Sequence, residues 1–227
     1  MKLATCLLAG ALLGFPALLS AADPAGASQT VISFTGGSVW NADYSGGTCV
    51  WYLPIVGDLG PDSLFSDPTN PAKETAYLVW VSEFTVQMLP AAPPFLPAPA
   101  NPSVAPPYAL VLANSGTGTI YYQSAPAKRV WPVASGSSTL TPDDLKKVDW
   151  GVPVATFNRN ASIVRSADGL KSDNFTFSAD LLDSATFVLP DGVMFNFHKL
   201  IPHGMTCVEF GQQMSSWESG TCLATGK

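Results

Sequence analysis

His198, His203 and Cys207 stand in the spacing His-x4-His-x3-Cys, the densest group of metal-ligating residue types in the chain. Imidazole and thiolate ligands hold zinc or copper. Cys207 has a competing use. It lies in an apolar strand-like stretch from Met205 to Gly211; Gln212 to Ser215 is polar and can turn, and Ser216 to Leu223 runs back with Cys222. Such a hairpin brings Cys207 and Cys222 together, and theirs is the shortest loop to close. A disulfide there removes the thiolate. His198 and His203 are then only weak metal candidates, and no cofactor is expected. Cys49 sits in Thr48-Cys49-Val50-Trp51-Tyr52. It is either a buried inert thiol or a long-range partner for Cys207 or Cys222. Apolar surroundings raise a thiol's pKa, which does not favour a nucleophile.

Hydrolytic chemistry needs a nucleophile, a histidine base and a carboxylate. Serines are plentiful, but no G-x-S-x-G elbow occurs. Glu83, Glu209 and Glu218 are carboxylates of the kind a glycosidase pairs, as any acidic β protein supplies. Asp58, Asp62 and Asp67 share one loop without a calcium-loop pattern. No catalytic residue is named on these signals. Trp40, Trp131, Trp150 and Trp217 lie in polar or turn-flanked settings and are ligand-binding candidates, since exposed rings stack on sugars. Trp51 and Trp80 lie in apolar runs and read as core.

Charged residues make up only 12 % of the chain and the net charge is −6. Nucleic acid demands clustered Lys and Arg. Lys128-Arg129 and Lys146-Lys147 are the only adjacent basic pairs, so a nucleic-acid partner is excluded. The partner classes left are carbohydrate or another surface protein. Residues 1–22 read as a signal peptide: Lys2, an apolar run from Leu3 to Leu19, then Ser20-Ala21-Ala22 as the cleavage signal. No later run is long enough to span a bilayer. The expected location is secreted or periplasmic, which also favours the disulfide. Asn160-Ala161-Ser162 and Asn174-Phe175-Thr176 are glycosylation acceptors in a eukaryotic host.

The elements that must position these residues are strands. Asn174 to Leu181 alternates with Phe175, Phe177 and Ala179 on one face, and Ser184 to Leu189 repeats the period. Pro190-Asp191-Gly192 predicts a three-residue hairpin loop, with Val193 to His198 as the return strand. Further strands are expected over 30–35, 48–55, 76–89, 130–133, 151–157 and 161–166. A hairpin is expected over 108–123 around Asn114-Ser115-Gly116. Thr141-Pro142-Asp143-Asp144 starts one short helix near 142–148. Pro90 to Pro107 holds eight prolines and reads as a Pro-rich loop. Many short strands between Gly/Pro turns predict an all-β, single-domain antiparallel β-sandwich, jelly-roll or Ig-like, over residues 23–227. The functional expectation is a secreted non-catalytic protein with a binding or structural role. The alternative is a secreted hydrolase whose site uses His198 or His203.

Overall fold

A computed structural model describes residues 29–41, 45–60, 64, 74–88, 108–128, 140–166, 172–212 and 218–225. The signal-peptide, Pro-rich-loop and 130–133 strand expectations fall outside these residues, as do Asp62, Asp67, Trp131 and Trp217.

The chain is all-β and antiparallel, but it is a closed barrel and not the expected sandwich. Its eight barrel strands are β1 (Thr30–Trp40), β2 (Gly46–Val56), β3 (Glu74–Met88), β4 (Tyr108–Lys128), β5 (Val152–Ser166), β6 (Ser172–Ser184), β9 (Met205–Gln212) and β10 (Glu218–Ala224). Each pairs with the next in the chain, and β10 closes back on β1. Between β6 and β9 lie a two-stranded hairpin, β7 (Phe187–Val188) with β8 (Met194–Phe195), and a helical turn, α2 (Phe197–Leu200).

The correction has a physical reason. The expected 108–123 hairpin is one 21-residue strand, and the two strands expected over 151–166 are one 15-residue strand. Asn114-Ser115-Gly116 is a bulge and not a turn: the register slips between Ala113 and Gly116 against β5, and between Ser82 and Thr85 on the other side. A Cβ on Gly116 would collide with the Glu83 carbonyl, so only glycine permits that approach. Bulges bend long strands and increase their twist, which is how a sheet curls into closure. Reading one bent strand as two produces a sandwich-like count.

Inward positions carry rings. Trp51 stacks on Phe177 with centroids 5.7 Å apart and meets Trp80 edge-on at 5.5 Å. Phe34 lies 4.9 Å from Trp51, and Phe157 lies 5.5 Å from Trp80. Glycines on neighbouring strands make room: side chains on Gly118 and Gly220 would strike the Trp80 indole and the Phe34 ring. One end of the barrel is plugged by Phe187, Phe195 and Phe197, with Phe195 and Phe197 5.1 Å apart and Phe197 edge-on to Phe157.

The Pro190-Asp191-Gly192 turn forms as its residues predict. Gly192 has φ +85°, and Asp191 Oδ1 accepts the Val193 N–H at 3.0 Å. The return strand is shorter than expected. Asn196 turns its side chain to accept the His198 N–H at 2.8 Å, capping α2. His198 therefore lies on a helical turn and not on a strand face. The helix expected near 142–148 is a single turn, α1 (Pro142–Leu145), held by a complete capping box between Thr141 and Asp144. Those hydrogen bonds hold the Asp144 carboxyl down at about 2.

Candidate functional site

Burial separates the chain's chemistry into two sets. The acids and the thiol of the first set lie inside the barrel. Alternation along β5 turns Ala155, Phe157 and Arg159 inward, and Arg159 is buried. Its guanidinium carbon lies 4.4 Å from the Phe177 ring centre and 4.8 Å from that of Trp51. Its Nη1 donates to Cys49 Sγ at 3.4 Å, and the Ser38 hydroxyl donates to the same sulfur at 3.1 Å. Glu218, buried on β10, accepts the Trp51 indole N–H at 2.7 Å and is also hydrogen-bonded to Ser38 and Glu209. Glu209 on β9 is buried as well.

Desolvation pushes the Glu218 carboxyl above its ordinary value, against the hydrogen bonds and the Arg159 charge that favour ionisation. Two hydrogen-bonded carboxyls in so dry a place cannot both ionise. With one proton shared between them, the pair carries one negative charge, which Arg159 balances. Burial raises the Cys49 thiol to about 12, with Glu218 and Glu209 adding to the rise and Arg159 opposing it. A thiol held that high is no nucleophile. Cys49 is free, so the long-range bridge is not formed; Cys207 and Cys222 face each other across β9 and β10 and are disulfide-bonded.

The histidines form the second set, on the surface. His198 and His203 are both exposed, and no hydrogen bond or ion pair of either imidazole is found among the described residues. His198 does line a groove of about 370 Å³ with Asp183 and Ser184. These are the residue types of a hydrolase, but they are not joined as one. The Ser184 hydroxyl donates to Asn196 Oδ1 at 3.1 Å, and what reaches Ser184 from His198 is its backbone N–H at 3.3 Å. Asp183 caps the Ser184 backbone N–H at 2.8 Å. No group of three or more His, Cys, Asp or Glu placed to hold a metal occurs among the described residues.

A third feature lies on the outer wall of β2, β3 and β4. The segment carrying α1 crosses this wall and buries Leu145 and Trp150 against it. Asp149 Oδ1 accepts the Gly151 N–H at 3.0 Å, and Gly151, at φ +93°, lets the backbone pass close over the Tyr122 carbonyl into β5. Beneath the segment runs a groove in two adjoining parts of about 360 and 300 Å³, which share Thr48, Glu83, Thr117 and Lys146.

Of the candidate tryptophans, Trp150 is buried at 7 % exposure and lines this groove. Trp40 is half-buried and meets Phe84 edge-on at 5.0 Å. Sequence reasoning passed over Arg159 and Ser38. The period of β5, Ala155-x-Phe157-x-Arg159, was the available signal for the arginine, since it continues an apolar face with a charge. Comparison with known proteins returns no matching family model, no matching curated protein and no matching solved structure.

Proposed function

We propose that this chain is a non-catalytic binding protein that works outside the cytoplasm and takes its ligand on the outer wall of the barrel. One observation carries this reading: the residues a hydrolase would combine are not hydrogen-bonded together, even where His198 shares a groove with Asp183 and Ser184. Cys49, Glu209 and Glu218 are sealed in the interior, while both histidines stand in the open without a side-chain partner among the described residues. A base must lie within hydrogen-bond reach of the proton it takes.

The interior does not suit a ligand either. An eight-stranded barrel is just wide enough for its side chains to fill or to hold one small molecule. Here stacked rings and a charge-balanced cluster occupy it. The exported location is supported by the Cys207–Cys222 disulfide. The outward residues Asn158, Asn160, Ser178, Asp180 and Thr221 are exposed or half-buried, so the outer wall is polar at these positions.

The test is an assay of the purified chain against ester, peptide and glycoside substrates, beside the His198→Ala/His203→Ala variant. No turnover by either protein is expected. Turnover that disappears in the variant would establish the hydrolase alternative in place of this reading.

A further inference from the structure

We propose that the groove between the α1 segment and the outer wall of β2–β4 binds a neutral saccharide chain, with Glu83 as the central acceptor for its hydroxyls. The inference rests on the binding reading above and names the ligand class.

Shape is the first argument. Each part of the groove is of the size at which ligand sites begin, about 300 Å³. The parts adjoin through Thr48, Glu83, Thr117 and Lys146, so the site is elongated and suits a chain of units better than one compact molecule. Its roof is built: the Thr141–Asp144 capping box fixes α1, and Leu145 anchors it to the wall.

The wall, secondly, offers only side chains. The barrel is closed, and β3 is paired on both sides, with β2 and with β4. No strand edge is open there for an extended peptide to extend the sheet. Recognition must come from what projects outward, and among the described residues that is chiefly threonine hydroxyls, the Glu83 carboxylate, the Lys146 ammonium and the Tyr121 ring. Glu83 is exposed and, when ionised, can accept from two neighbouring hydroxyls at once. Tyr121, half-buried, lies at one end as an apolar face for a sugar ring.

Charge is the third. Lys146 is already paired with Asp143 at 3.0 Å, and Glu83 also acts on its charge. Among the described residues the groove thus has no surplus positive charge with which to hold an anionic ligand. A neutral, hydroxyl-rich chain is the class that matches a lining of hydroxyls, a carboxylate and a ring face.

The experiment is isothermal titration calorimetry of the whole chain with cellohexaose, xylohexaose, mannohexaose, maltohexaose and chitohexaose, and with a heparin hexasaccharide as the charged probe. At least one neutral hexaose is expected to bind. Glu83→Gln is expected to weaken it about tenfold or more, the worth of one hydrogen bond to a charged group. Thr117→Val is expected to weaken it too, and neither exposed substitution is expected to shift the melting temperature. The inference is overturned if no neutral hexaose binds, if binding ignores both substitutions, or if only the heparin probe binds. The binding reading itself fails on a different observation, turnover abolished with the histidines.

Discussion

The Trp51 indole N–H donates to the Glu218 carboxylate at 2.7 Å, linking β2 to β10 over the strand between them. Gly36 on β1 is in register with both residues and carries no side chain to separate them. Barrel closure therefore meets the interior charge cluster at one place, and the state of Glu218 bears on the stability of the whole fold.

That state depends on pH. Burial raises the native Glu218 pKa above its ordinary 4.5, and unfolding returns it there. Between the two values the native state holds more protons than the unfolded one. Stability is thus fully present below pH 4.5 and is lost as pH rises through the native pKa. Arg159, Glu209 and Cys49 face the same carboxyl, and the hydrogen bonds to Ser38, Trp51 and Glu209, followed by the Arg159 charge, limit the rise. Thermal melts at constant ionic strength are expected to show a falling melting temperature as pH is raised from 4.5. Glu218→Gln, which keeps an acceptor for Trp51, is expected to flatten that slope; an unchanged slope would remove Glu218 as its source.

Arg159 is the countercharge. Replacing it with Met keeps an unbranched apolar stem but removes the guanidinium that lies over Trp51 and Phe177 and leaves the carboxyl pair unbalanced. Breaking a buried ion cluster from one side costs about 3–5 kcal/mol. Urea denaturation of Arg159→Met should show a loss of that order. Adding Glu218→Gln should recover part of it, because the neutral amide no longer needs a cation. A double-mutant cycle measures the coupling, and strictly additive losses would contradict the shared-charge account.

Cys207–Cys222 closes a sequence separation of 15 residues. In the chain-entropy model a loop of this size contributes about 3 kcal/mol. Cys207→Ala/Cys222→Ala should lose stability of that order in denaturant titrations, and the wild-type chain should lose it on reduction. Cys49 gives an independent readout. It is buried and its thiol sits at about 12, so a thiol reagent should modify it only on unfolding. Modification of Cys49 in the folded protein at the rate of a free thiol would mean that the interior is open.

Much of this protein is local, and the local part was legible in the residues. Pro190-Asp191-Gly192 specifies its own turn, Thr141 to Asp144 its own cap, and a short hairpin its own disulfide, because the partners lie no more than 15 residues apart in the chain. The inward and outward faces of the strands also followed from a period of two. That period reports which face is covered and is silent on what covers it. Only the tertiary structure decided that the sheet closes β10 onto β1, since closure depends on long strands bending at Gly116 in place of turning there. Likewise, no spacing along the chain could bring Arg159, Cys49 and Glu218 together. Their meeting is set by strand order and register, and it seals a cysteine and a glutamate weighed as chemical groups, with an arginine the sequence did not single out, into one buried cluster.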